Sequence, residues 1–352
     1  MKNIIINLFC GLLLLLQSCN KENKMVSKNT TENFPYTVTF STATGYAAEV
    51  HEGYLADEKK KLICGVPKAG TEDGPWQYDG AQGGQGGNIV PSYLNLTYVS
   101  YAEKKFYHVE GDLPKDKILA AFQKGFKVKG TEAENGEIPW VDGTYDQITI
   151  GAAPGGVVIV WLAGDHHRIE VCRLQAKETF VDKDKFRPNP KPGEDQAQFF
   201  DAKFKLYVAD SIKTTIEKNG IPYGLWDKYR EKYNYRFKLH PYDEKDNFDQ
   251  IYRLNYNGES EYLLGAKAAE VYKKDAIPYN VIFMMQKYNA EIEFNDSELM
   301  KIFENFKQKH PEKPIDIVLV PSFMYKEIKV YAECDGEKVE LKKSLVKRIW
   351  GG

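Results

Sequence analysis

The chain has 352 residues, enough for two ordinary domains. Hydrophobic residues make up 42% and charged residues 28%, which fits a globular body and excludes a disordered chain. With 48 basic against 50 acidic side chains the formal charge is −2, so there is no electrostatic footprint for nucleic acid.

The first 18 residues are a different material. Lys2 precedes an apolar run over 4–16, closed by Leu16-Gln17-Ser18-Cys19. The run is too short to span a bilayer and reads as a secretory signal. Its Leu-x-Ser-Cys ending resembles a bacterial lipobox, whose cysteine is lipidated and becomes the new N-terminus. The expectation is a signal peptide over 1–18 and a flexible tether over 19–33, with Cys19 carrying the acyl chains. Membrane attachment through that lipid places the protein in the bacterial cell envelope, at the outer membrane on its periplasmic or surface face. Cys64, Cys172 and Cys334 remain in the body without a CxxC, and any disulfide would use two of the three.

Residues 34–40 alternate as a strand, with Tyr36, Val38 and Phe40 on one side. The stretch 74–87 (GPWQYDGAQGGQGG) lacks the Gly-Lys-Ser/Thr ending of a phosphate loop and reads as a mobile surface loop. Residues 94–101 and 106–109 form two more strands. Pro114 suits the first position of a helix carrying Ile118, Leu119, Phe122 and Phe126 on one face, ended by Gly125 or Gly130. The strongest strand-and-turn signal is 145–171. There 147–150 leads through Pro154-Gly155-Gly156 into 157–162, which is apolar at every position and suits a strand buried on both faces. Gly164-Asp165 then turns the chain into a third strand near 168–174.

Residues 182–196 (DKDKFRPNPKPGEDQ) break every pattern and mark a boundary. Beyond it come 203–208 and a helical piece capped by Gly220, with Pro222 next. A short helix over 225–233 follows, then a strand over 236–239. The clearest hairpin is 251–264 around Asn257-Gly258, a type I′ pair. Strands over 281–285 and 290–294 lead to a helix capped by Asn295 or Asp296, with Leu299, Ile302, Phe303 and Phe306 buried. Residues 315–320, 326–331 and 338–341 finish the sheet.

The expected class is α+β, with antiparallel β-sheets and a few short helices. Both halves read strand, short helix, then hairpin: 106–109, 114–126 and 157–174 echo 291–294, 296–306 and 315–331. That echo gives two similar lobes, 34–182 and 198–352, joined by a Pro-rich linker over 183–197.

No HExxH, GxSxG, strand-linked GxGxxG or EF-hand loop is present, and no residue stands out as catalytic. His166-His167 beside Asp165 is the nearest approach to a metal site. Adjacent strand side chains point to opposite faces, so these read as polar turn residues and no metal or cofactor is expected. The skewed quantity is aromatic content, 13% with 23 Tyr and 18 Phe. Tyr223, Trp226, Tyr229 and Tyr233 crowd one window. Exposed, they would form a patch for a sugar or a protein; buried, they are a core stripe.

GAAPGGVVIVWLAG (151–164), KKFYHVEGDLPKDKI (104–118), NGIPYGLWDKYREKYNYRFKL (219–239) and YNGE (256–259) together resemble the bacterial lipoprotein family known as domain of unknown function 2931. The likeness covers roughly 93–256 and implies a cell-envelope lipoprotein. Some lipoproteins of this general kind sit beside secreted toxins and act as immunity proteins. The expected function is therefore a non-enzymatic envelope lipoprotein that binds a protein partner. Glycan binding or processing is the alternative.

Overall fold

The computed structural model describes residues 33–131, 138–188 and 191–351. The expected signal segment, Cys19 and the tether through residue 32 fall outside these residues. Among the described residues no helix is long and apolar enough to cross a membrane.

The protein is an α+β structure dominated by antiparallel sheet. The first half runs β1 (Asn33–Thr42), β2 (Ala48–Ala56), β3 (Leu62–Gly65), β4 (Thr71–Glu72), β5 (Ala81–Ile89), β6 (Tyr93–Ser100), β7 (Lys105–Asp112) and helix α1 (Lys115–Lys124). It continues through a small hairpin, β8 (Phe126–Lys129) and β9 (Trp140–Gly143), to β10 (Gln147–Ala153), β11 (Val157–Gly164), β12 (His167–Gln175) and β13 (Lys177–Thr179). Helices α2 (Lys183–Phe186), α3 (Gln196–Tyr207), α4 (Asp210–Asn219) and α5 (Leu225–Lys228) follow. The second half runs β14 (Tyr233–Leu239), β15 (Phe248–Asn255), β16 (Ser260–Leu264), α6 (Ala266–Ala269), β17 (Lys273–Asp275), β18 (Pro278–Met285) and β19 (Tyr288–Glu293). It ends with α7 (Asp296–Lys309), β20 (Ile315–Pro321), β21 (Ile328–Cys334), β22 (Glu337–Glu340) and β23 (Leu345–Gly351).

A ten-stranded sheet, β23-β19-β18-β15-β16-β12-β11-β10-β1-β5, runs through both halves. A smaller sheet, β13-β7-β6-β2-β3, shares a core with its β1–β12 end. A five-stranded sheet, β17-β14-β20-β21-β22, shares one with its β15–β19 end. The two parallel contacts are β1 with β10 and β14 with β20.

β11 explains why one strand can be apolar throughout. Val158, Val160 and Leu162 enter the first core, while Val157, Ile159 and Trp161 enter the other. The expected turn holds, with Gly155 and Gly156 both at positive φ. Helix α1 is capped by Pro114 itself rather than containing it, and Gly125 ends it.

Three expectations need correction. The glycine-rich stretch is not a free loop, because its residues 81–87 belong to β5 on the edge beside β1. A Cβ on Gly86 would lie 2.4 Å from the Tyr36 carbonyl oxygen, so the glycines are what let this edge close onto β1. The expected Pro-rich linker over 183–197 carries helix at both of its described ends. Asp182 caps α2 and Asp195 with Gln198 forms a capping box on α3. Phe186 packs edge-on against Phe106 at 5.2 Å between centroids. Residues 203–208, read as the opening of the second half, are the end of α3 and the residue after it.

Gly151 faces the Trp161 ring, where an added Cβ would stand 2.3 Å from it and 3.0 Å from Trp76. Gly151→Ala should therefore destabilise the protein by about 1–3 kcal/mol through overpacking. An unchanged urea midpoint would show that the two indoles shift freely.

Candidate functional site

The four aromatic residues singled out in the sequence do not form one surface. Tyr223 is 59% exposed, but Trp226, Tyr229 and Tyr233 are 4%, 8% and 6% exposed. Trp226 meets Tyr46 edge-on at 5.2 Å. Tyr229 stacks on Tyr256 and donates to Asp296 Oδ2 at 2.5 Å. Tyr233 lies edge-on to Phe303 of α7 at 5.3 Å. The stripe is core, and the exposed stacking platform is not there. His166 and His167 occupy the β11–β12 turn and the start of β12. Among the described residues no group of three or more His, Cys, Asp or Glu could hold a metal ion, and Cys64, Cys172 and Cys334 are free thiols.

The structure instead opens a cleft of about 420 Å³ where the two halves of the ten-stranded sheet join, β12 beside β16. The joint is one backbone bridge, Arg168 with Ser260. Side chains reinforce it: Ser260 Oγ donates to the His166 carbonyl at 2.8 Å, and the Glu170 N–H donates to Glu259 Oε1 at 3.1 Å. Trp161 Nε1 reaches the Asn257 carbonyl at 3.2 Å, carried there by the tight Asn257-Gly258 turn. The Arg168 guanidinium lies 4.1 Å from the Trp161 ring centroid and donates to the Trp76 carbonyl at 2.9 Å. Burial pulls its pKa down to about 10.

One wall of the cleft carries Lys124, Gly125 and Phe126 from the α1–β8 corner. The other carries Arg253, Asn255 and the β17 residues Lys273, Lys274 and Asp275. Alternation along β15 puts Ile251, Arg253 and Asn255 on the side facing the five-stranded sheet, so an arginine sits almost fully buried in a hydrophobic core. It is held there by Asp275 at 2.5 Å, by Glu261, and by the Tyr235 hydroxyl, which accepts at 3.0 Å. Burial works against the charge, yet Tyr235, Asp275 and Glu261 together keep its pKa above the ordinary arginine value. Arg253 Nε and Asn255 Oδ1 have no hydrogen-bond partner among the described residues, so the wall of the cleft is polar and incompletely satisfied.

The charges in the cleft do not cancel. Glu259 is matched by Lys232 at 2.9 Å, and Glu261 by Lys273 at 2.5 Å as well as by Arg253. Asp275 is matched by Arg253. Lys124 and Lys274 have no ion pair among the described residues, which leaves a surplus of positive charge in a chain of net charge −2. On the floor His167 stacks on Phe126 at 4.0 Å. Burial pulls the His167 pKa below its usual value, against the carbonyl of Asp165, which favours the charged form. These groups can bind and orient carboxylates. Their residues are scattered over 124–275, and the one local signal was a charged residue on the inward side of an alternating strand.

A family model described as Protein of unknown function (DUF2931) matches residues 19–224, more than half of the chain. No curated protein matches the chain, and no solved structure does.

Two measurements check this account of the cleft. Asp275→Ala leaves a buried guanidinium under-compensated and should cost about 3 kcal/mol in urea unfolding, while the double change Arg253→Met with Asp275→Leu should recover most of that. The lowered pKa of His167 means that the unfolded chain binds its proton first as pH falls. Stability from this group is complete above about 6.5 and is lost progressively below it. A melting-temperature series from pH 7.5 to 5 should fall on the acid side, and His167→Gln should flatten the slope.

Proposed function

We propose that this chain, which belongs to the DUF2931 family, is a non-enzymatic cell-envelope lipoprotein that binds another protein, with carboxylates of the partner held in the seam cleft. The observation that carries the reading is the positive surplus at Lys124 and Lys274, beside carboxylates that are already matched. Clefts at the junction of two packed units are common ligand sites, and a partly buried cationic wall selects for acidic groups. A secreted toxin is the first partner to consider. The glycan reading loses its support, because the rings it required at Trp226, Tyr229 and Tyr233 are buried.

The same proposal includes two similar lobes built on one plan. In support, the strand order β5-β1-β10-β11-β12 is repeated as β17-β14-β20-β21-β22, and β13-β7-β6-β2-β3 is repeated as β23-β19-β18-β15-β16. The parallel contact falls at the same place in each, and a helix, α1 or α7, precedes the return strand β10 or β20. The cleft would then lie where an outer strand of one lobe meets an outer strand of the other.

Two experiments test the reading. Cys19→Ala should move the protein from the membrane fraction to the soluble envelope fraction, and retention in the membrane would sink the anchor. The full chain, used as bait against envelope and secreted proteins of its source cell, should retain a stoichiometric acidic protein. The Lys124→Glu, Lys274→Glu variant should lose it, since both side chains are exposed and their replacement spares the core. Equal capture by both forms removes the cleft from the account, and no capture removes protein binding.

A further inference from the structure

β23 is the outermost strand of the ten-stranded sheet, bonded to β19 on one side and, among the described residues, to no strand on the other. A bare edge of seven residues is a template for further pairing, and proteins ordinarily shorten, bulge or cover such edges. The strand beside β7 at the end of the smaller sheet, β13, has only three residues. The β23 edge is bulged at Lys347, since Val346 and Arg348 pair with consecutive residues of β19, and it is also charged with one sign. Lys342, Lys343, Lys347 and Arg348 lie on it or just before it, with no carboxylate among residues 341–351. Lys347 and Arg348 reach back to Glu293 at 3.4 Å and Glu291 at 2.7 Å, whereas Lys342 and Lys343 have no ion pair among the described residues.

Next to this edge is an open groove of about 540 Å³, whose apolar lining includes Met324, Ile328, Ile349 and Trp350 and whose charged lining is Lys326, Glu327 and Arg348. Its rim is the loop between β20 and β21. There Met324 and Tyr325 both have φ of 52°, a left-handed conformation that side chains such as these rarely adopt. Tyr325 is fixed by a hydrogen bond to Asp246 and by stacking on Tyr288 at 4.6 Å. The result is that Phe323 and Met324 stay 54% exposed, with Tyr242 edge-on to Phe323 at 5.0 Å.

The geometry points to β-strand addition: an extended, acidic segment of a partner protein pairs with the outer edge of β23 and seats an apolar side chain in the groove. Main-chain bonds supply the pairing, and alternation places every second side chain of the added strand toward the groove. Acidic side chains on that strand meet the unpaired lysines. A second copy of this chain is the wrong occupant, because antiparallel β23–β23 pairing would set these cations against their own kind. The inference rests on the protein-binding reading but uses a surface other than the seam.

The test uses the full chain and a synthetic ten-residue peptide of alternating glutamate and valine, followed by amide hydrogen exchange. The expected result is saturable, salt-sensitive binding that slows exchange across 345–351. Lys342→Glu with Lys343→Glu should weaken it at least tenfold, and so should Met324→Asp, all at exposed positions that leave the core intact. A peptide with lysine in place of glutamate should not bind. Equal affinity for polyphosphate would overturn the proposal by reducing it to charge alone. Slowed exchange of 345–351 in the absence of peptide, rising with protein concentration, would replace it with self-association. Protection confined to the seam cleft would overturn the edge while leaving the protein-binding reading standing.

Discussion

The continuity of the large sheet depends on how Trp161 is buried. Backbone pairing at the seam amounts to one bridge, so adjacent strands there are held less by the ladder than by what lies across it. The indole meets that need. It is fully buried and T-stacked on Trp76 at 4.8 Å, and it lies under the Arg168 guanidinium. Its one N–H is donated to the turn of the opposite hairpin. Glycine at 151 and 258 gives the ring room on both sides: a Cβ at Gly258 would stand 3.0 Å from it, and Gly258 is also at positive φ. A large apolar body with a single polar tip suits this position, where one group must fill a core and satisfy a partner across a joint.

The polar wall beside that joint follows from the same arrangement. Where two halves of a sheet join through a single bridge, side-chain groups beside the joint turn to one another. Arg253, Asp275, Glu261 and Asn255 form such a group, and their mutual hydrogen bonds make a buried charge tolerable without making it inert. The lysines around them are more exposed, so ionic strength will tune attraction to the cleft while leaving the inner network largely unaffected.

Much of the architecture was legible in the sequence wherever local chemistry and tertiary environment agree. The all-apolar 157–162 run became the strand with two buried faces, and the Asn257-Gly258 pair lies in a hairpin turn, although with only Gly258 at positive φ the turn is not the expected type I′. Asn295 capped its helix by accepting from the Glu298 N–H. Sequence reading failed where a tertiary contact reverses the local signal. Glycines that suggest a loop are required in β5 by the closeness of β1. A bulge between Val50 and Glu52 breaks the alternation of β2 and hides it. The aromatic window read as one helix over 225–233, but the helix ends at Lys228 and Tyr233 opens β14, so Trp226, Tyr229 and Tyr233 are buried from a helix, its cap and a strand in turn. The seam cleft was invisible because its residues come from separate strands and become neighbours only when the two halves of the sheet join.

The position of β1 has a mechanical consequence. The strand begins at Asn33 and lies between β5 and β10, hydrogen-bonded along both sides and parallel to β10. A pull transmitted through the residues before Asn33 therefore runs along the strand axis and loads both ladders in shear. Many hydrogen bonds must yield together, instead of peeling one at a time as they would from a hairpin at the sheet edge.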